Sequence, residues 1–414
     1  MTITFVLIKE RKNPPDRRVV FSPKKCKEVI ARFPDARIIV ESSDIRTFPD
    51  EEYREAGFEV VEDISQADVM LGVKEVPVDA LIPNKKYFFF SHTIKKQPYN
   101  RKLLQSVLEK KIELFDHETI VNESNHRLIG FGYYAGLVGA YNGIRGLGLR
   151  DSLFYLPKVE HLHNLEEVKE ELNKITLPAI KIVLSGSGKV TRGAKEILDH
   201  LKIQELSTQE YLASDRFDYP VYCVIKVGDY NKRKDGGMFD KQEFYADPSS
   251  YESDFFKFAR TSDMFIAGHF FGDGAPYLFT RADAKMPDFR INFVSDISCD
   301  VDGPVASTLR ASTIAEPFYG YDPKTEQETS LNAAGAIGVM AVDNLPCELP
   351  RDASQGFGDM FLENVIPAFF DGDKNGILKR AQMTTAEGQL APRFEYLREY
   401  VKEDSKKLIS PESN

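Results

Sequence analysis

The sequence predicts an α/β fold of two Rossmann-like domains, each built on a doubly wound parallel sheet. Three observations carry that expectation. Short β-branched or aromatic runs alternate with amphipathic helical stretches through the first half of the chain. A strand at Ala179–Leu184 leads straight into a glycine turn and a helix. The 414 residues suit two domains at ~100–200 residues each.

Ile3–Ile8 is a short apolar run, and Arg37–Glu41, Glu59–Val61 and Ile112–Phe115 read as further strands. Val69–Val73 and Tyr87–Ser91 have the continuous apolar character of strands buried on both faces. Between them, Pro23–Phe33 has helical spacing, with Ser22 placed to cap it and Pro23 at the first helical position. Asp50–Ala56 is a charged helix ended by Gly57, and Lys102–Lys110 is amphipathic. Such alternation implies a mainly parallel sheet with right-handed crossovers.

Ile129–Leu149 is unusual. Glycine costs ~1 kcal/mol inside a helix. Yet Gly132, Gly136, Gly139, Gly143 and Gly146 step by 4, 3, 4 and 3, which puts them on one helical face. The spacing predicts a long helix pressed against a neighbouring backbone; the alternative is a glycine-rich loop. His161–Leu172 reads as a helical linker, and Gly228–Ser253 as a polar, irregular excursion. Met264–Ala267 and Ile291–Val294 read as strands, Asn332–Val342 as a second small-residue helix, and Glu403–Asn414 as a polar tail.

Composition removes several functions. With 54 Lys+Arg against 64 Asp+Glu the net charge is −10, and no basic stripe offers a surface to nucleic acid or an anionic membrane. The cluster Lys232-Arg233-Lys234 precedes an aspartate and two glycines and reads as a solvated loop. Four well-separated cysteines are no disulfide framework. With no signal-peptide layout and no long apolar stretch, a cytoplasmic location is expected.

The segment Gly186-Ser-Gly188-Lys-Val-Thr191-Arg-Gly193-Ala194 follows a strand and opens a helix. Glycines let backbone N–H groups reach a pyrophosphate, and the helix N-terminus adds partial positive charge. The turn therefore predicts a dinucleotide, held by Gly186, Ser187, Gly188, Lys189, Val190 and Gly193; the alternative is an ordinary βα turn. The fingerprint continues with an acid about 20 residues on, at the end of the next strand, to hold the ribose 2′-hydroxyl. Ser207 stands there, with Glu205 and Glu210 out of register. A small hydroxyl residue tolerates a 2′-phosphate, so the cofactor is NAD or NADP.

Eight islands in order resemble one family: 18–23, 72–77, 90–95, 131–136, 186–194, 296–300, 312–318 and 342–351. Among them Ser91-His-Thr-Ile-Lys95, the GxGxVTxGA turn and Asp343-Asn-Leu-Pro-Cys-Glu-Leu-Pro-Arg351 are the specific ones. They resemble lysine-2-oxoglutarate reductase and the L-lysine-forming saccharopine dehydrogenase, within the alanine dehydrogenase and transhydrogenase α-subunit superfamily. The turn is more like the reductase domain of α-aminoadipic semialdehyde synthase than like alanine dehydrogenase, which has glycine where Thr191 sits. The chain stops near where that domain stops, which implies one of the synthase's two steps.

The resemblance implies two domains facing a cleft, with the C-terminal segment returning to the first. Residues 1–129 plus 336–414 would form a substrate domain, and 130–335 the dinucleotide-binding domain. It implies interconversion of saccharopine with L-lysine and 2-oxoglutarate, by hydride transfer at a CH–NH group and imine hydrolysis. Lys74 and His92 are the implied catalytic pair. The amine must lose a proton before hydride leaves, which suits a lysine whose pKa is lowered, and imine hydrolysis needs an acid–base group such as imidazole. Glu75 and Glu118 would tune that pair beside the substrate. Arg18 and Arg127 would grip substrate carboxylates, as a planar guanidinium can, and Gln97 would add a polar contact. Asp296, Ser298, Asp300, Asn344 and Leu345 would line the nicotinamide side.

The chain departs from the fungal pattern at Ser207, His126 and His269-Phe270-Phe271. No metal site is expected, since His161-Leu-His163 has no accompanying ligands. The expected partner is a small molecule, with a homo-oligomer open. Two other functions remain: alanine dehydrogenase or another opine-type dehydrogenase, and a nucleotide-binding protein without turnover.

Overall fold

The computed structural model describes residues 2–402; the polar tail at 403–414 lies outside them. The chain forms two compact units, Met1–Gly130 with Pro350–Asn414, and Phe131–Leu349.

The first unit is built on six strands: β1 (Ile3–Leu7), β2 (Ala36–Glu41), β3 (Glu59–Val61), β4 (Val69–Lys74), β5 (Lys86–Phe90) and β6 (Glu113–Asp116). Their order is β3-β2-β1-β4-β5-β6, and every pairing is parallel. The order reverses at β1, so the carboxyl ends of β1 and β4 flank a topological switch point, where α/β sheets place ligands. The helix Pro23–Arg32 starts as expected: the Ser22 hydroxyl accepts from the Lys25 N–H, and Pro23 opens the first turn. A C-terminal helix, Pro350–Asn364, returns to this unit. The Ser354 hydroxyl accepts the Val19 N–H at 3.0 Å, and Phe361 packs edge-on against Phe21 and Phe88.

The second unit holds an eight-stranded sheet. Its strands are β7 (Lys181–Ser185), β8 (Gln204–Leu206), β9 (Val221–Ile225), β12 (Met264–Ala267), β13 (Phe293–Asp296), β14 (Phe318–Asp322), β15 (Gln327–Thr329) and β16 (Ile337–Met340). The order is β15-β14-β16-β13-β12-β7-β9-β8, and only β14 and β15 run antiparallel to their neighbours. The excursion Gly228–Ser253 is less irregular than expected. It contains a hairpin of β10 (Asn231–Arg233) and β11 (Tyr251–Ser253) and a short helix, Lys241–Ala246.

The glycine segment is a helix, Gly132–Arg150, and its glycines act as the spacing predicts. A Cβ on Gly136 would overlap the Val190 carbonyl, and one on Gly193 would overlap the Tyr133 carbonyl. Two helices thus meet backbone to backbone through one glycine from each. At Gly143 an added Cβ would lie 2.8 Å from the Ser295 Cβ, so the same helix also lies directly on β13.

One element is overturned. Asn332–Val342 is not a helix: Ile337–Met340 is strand β16, buried on both faces between β13 and β14. A strand covered on both sides shows no period of two, so small and apolar residues in a row mimic a helix. Gly338 fits there because a Cβ would lie 2.6 Å from the Phe293 ring. With β16 in the second sheet, residues 336–349 stand with the second unit and not the first. No helix among the described residues is long and apolar enough to cross a membrane.

Candidate active site

In the first unit, Lys74 ends β4 and pairs across with Phe90, two residues before His92. Both side chains therefore leave from the carboxyl edge of adjacent strands. His92 adopts left-handed backbone (φ 55°), and its ring stacks near Phe90 with 6.0 Å between centroids. The turn carrying it is held from below by Asp116, which is fully buried at the end of β6. The Asp116 carboxylate accepts the Ser91 N–H at 2.9 Å and the Ser91 hydroxyl. Burial pushes its carboxyl above the ordinary range.

Glu118 gathers the cations of the site. One carboxylate oxygen lies 3.5 Å from His92 Nδ1, an ion-pair distance longer than a good hydrogen bond. The other lies 3.2 Å from Arg127 and 3.8 Å from Lys95. Burial opposes ionisation of Glu118, but His92, Lys95 and Arg127 outweigh it and hold the carboxyl down at about 2. Glu118 is thus a fixed anion facing the imidazole.

Glu75 directly follows Lys74, whose charge acts on its carboxyl together with that of Lys12. Its carboxylate accepts from Lys12 Nζ at 2.5 Å. Burial opposes its ionisation, yet Lys12 holds it below the ordinary range. Arg18 is 5% exposed and forks onto Asp16, with N–O distances of 3.0 and 2.6 Å. Burial resists the charge on Asp16, and Arg18 overcomes it, leaving the carboxyl at about 2. The guanidinium is therefore locked in orientation by Asp16, a partner that sequence reasoning missed. Gln97 accepts from the Tyr99 hydroxyl through its side chain and from Tyr400 Oη through its carbonyl. His126, at the departure from the fungal pattern, is exposed on the loop before Arg127.

In the second unit, the turn after β7 has its predicted form. Gly186 sits at φ +114°, where a Cβ would also come within 2.5 Å of the Gly268 carbonyl. A Cβ on Gly188 would meet nothing within 4 Å, so that face of the turn is open. The helix Lys189–His200 begins there with no side-chain cap and no acid in its first turn. Its first N–H groups and its dipole are left for an anion. Thr191, at the third position of the motif, is buried beneath the turn. Grooves of about 680 and 700 Å³ flank the turn. These features fit a dinucleotide pyrophosphate.

The groove beside the turn holds Ser207 together with residues that the sequence reading did not name. The strand next to β7 is β9, and β8 lies outside it. Ser207, at the end of β8, caps the helix Thr208–Ala213 in a reciprocal box with Glu210. Ser207 lines the groove beside the turn, together with Lys226 and Asp229 at the end of β9. There the Asp229 carboxylate accepts the Lys226 N–H at 2.6 Å. Neither Lys226 nor Arg192, both on this groove, has an ion-pair partner among the described residues.

Asp296 ends β13 fully buried. It frames its own loop by accepting from Ser298 Oγ and Thr308 Oγ1 at 2.6 Å each and from the Cys299 N–H. Burial raises its carboxyl, and burial with the charge of Asp296 raises Asp300. Leu345 is 2% exposed and packs in the core against Gly139, while Asn344 heads the turn before it. His269 hydrogen-bonds Ser185 through Nδ1 at 2.8 Å, and burial lowers its pKa to about 4. Among the described residues, no three His, Cys, Asp or Glu side chains gather as a metal site.

Residues 6–138 match the family model described as alanine dehydrogenase/PNT, N-terminal domain. The chain is 28% identical to the alpha-aminoadipic semialdehyde synthase of Arabidopsis thaliana and to the mitochondrial one of Mus musculus, each over 94% of its own length. It spans less than half of those relatives, 41% and 47%. It is 24% identical to the saccharopine dehydrogenase (NAD(+), L-lysine-forming) of Candida glabrata, over 88% of this chain and 91% of that protein. Among solved structures, an L-alanine dehydrogenase shares the fold, with TM-score 0.65 at 17% identity over 96% of this chain and all of that one.

Proposed function

We infer that the chain is a nicotinamide-dependent oxidoreductase acting on a CH–NH group, interconverting saccharopine with L-lysine and 2-oxoglutarate. The observation that carries this is Lys74 and His92 on adjacent strand ends, with Glu118 fixed as an anion against the imidazole. The relatives named as saccharopine dehydrogenases and semialdehyde synthases support the substrate. A bound nicotinamide dinucleotide would supply the hydride acceptor. Gly186–Val190 would hold its pyrophosphate.

In the direction of saccharopine cleavage, Lys74 takes the proton from the secondary amine, which frees the nitrogen lone pair to assist hydride loss from the adjacent carbon. His92 then removes a proton from the water that attacks the imine carbon, and returns a proton to the departing lysine nitrogen. Glu118 stabilises the imidazolium formed between those events. Arg18, held rigid by Asp16, and Arg127 supply positive charge for substrate carboxylates.

The test is absorbance at 340 nm with purified protein and saccharopine, in parallel wells of NAD and NADP. Growth in either establishes the reaction. The pair of wells also separates Asp229, suited to a ribose hydroxyl, from the unpaired Lys226 and Arg192, suited to a 2′-phosphate. Signal with alanine and none with saccharopine would favour the alanine-type reading. Silence with every substrate and intact nucleotide binding would favour a protein without turnover.

A further inference from the structure

The strand that carries Lys74 is irregular at the point where the lysine leaves it. Against β5, Leu71 faces Phe88 but Lys74 faces Phe90, so β4 advances three residues where β5 advances two. Such a bulge breaks the ladder, bends the strand and re-aims a side chain. Three backbone groups of this bulge, two N–H and one C=O, are held by two side chains from elsewhere. The Glu10 carboxylate accepts the Val73 N–H at 2.7 Å and the Lys74 N–H at 2.9 Å. On the other edge, His117 Nε2 lies 2.8 Å from the Gly72 carbonyl.

Both residues are buried, Glu10 at 8% and His117 at 0% exposure. Gly72 makes room for the arrangement, since a Cβ there would lie 2.8 Å from Ile8 Cδ1 and 3.6 Å from the Glu10 carboxylate. Burial lowers the His117 pKa to about 4, so the ring is neutral at pH 7. The carbonyl of Gly72 can only accept, so the proton sits on Nε2. Nδ1 is then left without a hydrogen bond among Phe90, Phe357 and Phe361. Burial and the charge of Asp16 push the Glu10 carboxyl up to about 8, against its two N–H donors and Arg18. Burying such groups is unfavourable, and both side chains hydrogen-bond to the bulge. Neither has a role in the chemistry above.

We propose that Glu10 and His117 are positioning residues that clamp the Gly72–Lys74 bulge from its two edges and fix the direction in which Lys74 leaves the sheet. This rests on the reading of Lys74 as the base. A misplacement near 1 Å can lower a rate about 100-fold, so the clamp acts on turnover without touching substrate.

Two readouts test it. The first is steady-state kinetics across pH for His117→Leu, which loses the donor, and His117→Gln, whose amide can still donate to Gly72. The leucine variant is expected to lose roughly 10- to 100-fold in kcat, with a shifted pH profile and an unchanged KM for the dinucleotide. The glutamine variant is expected to recover most of that loss. The second is amide hydrogen exchange in wild type, Glu10→Gln and Glu10→Ala. Exchange at Val73 and Lys74 should quicken at least tenfold in Glu10→Ala, while Phe5–Leu7 of β1 stay protected. Wild-type kinetics and pH profile in His117→Leu, or unchanged exchange at 73 and 74 in Glu10→Ala, would overturn the clamp. If the wild type shows no turnover at all, the functional reading fails and the exchange result alone decides the clamp. A Glu10→Ala chain that does not fold leaves Glu10→Gln, which retains one acceptor and should free one of the two amides.

Discussion

The two units prepare their sites in opposite ways. The first uses charged side chains: Glu118 among His92, Lys95 and Arg127, and Arg18 forked onto Asp16. The second uses bare backbone: Gly186 in a left-handed turn, Gly188 open, and a helix start without cap or acid. Side-chain sites move protons, because their groups titrate and can be tuned by neighbours. Backbone sites hold anions, because N–H groups neither titrate nor swing away. On the proposed function, chemistry falls to the first unit and cofactor binding to the second, and the contrast can be broken by separating those effects.

The largest separation is expected at Lys74 and His92. Lys74→Met and His92→Gln should each lower turnover by roughly 10²–10⁴-fold, with dinucleotide affinity within a factor of two or so in a fluorescence titration. The mirror experiment is Gly186→Val. A β-branched residue at φ +114°, against the Gly268 carbonyl, should weaken dinucleotide binding by on the order of 100-fold. It should leave the lysine and histidine groups of the first unit intact by NMR titration. Glu118→Gln removes the anion facing His92 and should lower kcat by about tenfold, with KM for the dinucleotide unmoved. A comparable loss of dinucleotide affinity in that variant would blur the division of labour.

Acid tests both units at once. His117 in the first unit and His269 in the second are buried, and each is lowered to about 4. The unfolded chain, with histidine near ~6.5, binds more protons than the folded chain between those values. Stability is therefore full above pH ~6.5 and falls as pH drops toward 4, by on the order of 3 kcal/mol for each histidine. Chemical denaturation at pH 7 and pH 5 should show the loss, and His269→Phe should remove part of it. An equal slope in that variant would mean that His269 is not buried neutral.

The smallest expected effect sharpens the ribose end. Lys226→Ser should raise the Kd for a 2′-phosphorylated dinucleotide by a few-fold and leave the unphosphorylated one nearly unchanged, about 1 kcal/mol of difference.

The same contrast explains what was legible in the sequence. The glycine turn reads directly because its geometry excludes other residues at Gly186, and because strand, turn and helix are contiguous. The Gly132–Arg150 helix reads for the same reason: a backbone-to-backbone contact demands glycine at a helical period. The charged site reads only in fragments. Lys74 and His92 stand out at strand ends, but Glu10 meets Val73 across 63 positions and Glu118 meets His92 across 26, with no local pattern to join them. Glu75 reads from its adjacency to Lys74, but its ion pair with Lys12 joins residues 63 positions apart and leaves no local pattern. Ser207 reads as part of the groove, but Lys226 and Asp229 beside it do not, because the order of strands in a sheet is not the order in the chain: β9 inserts between β7 and β8. The strand β16 does not read as a strand because burial on both faces erases its alternation.

The most direct test of the division of labour is a saccharopine-dependent rate at 340 nm for wild type and Lys74→Met, each measured at the same dinucleotide saturation. The account predicts that the wild type turns over, and that Lys74→Met binds the dinucleotide equally well yet retains at most about 1% of the rate. Equal rates in the two proteins, or a rate lost in proportion to lost dinucleotide binding, would contradict it.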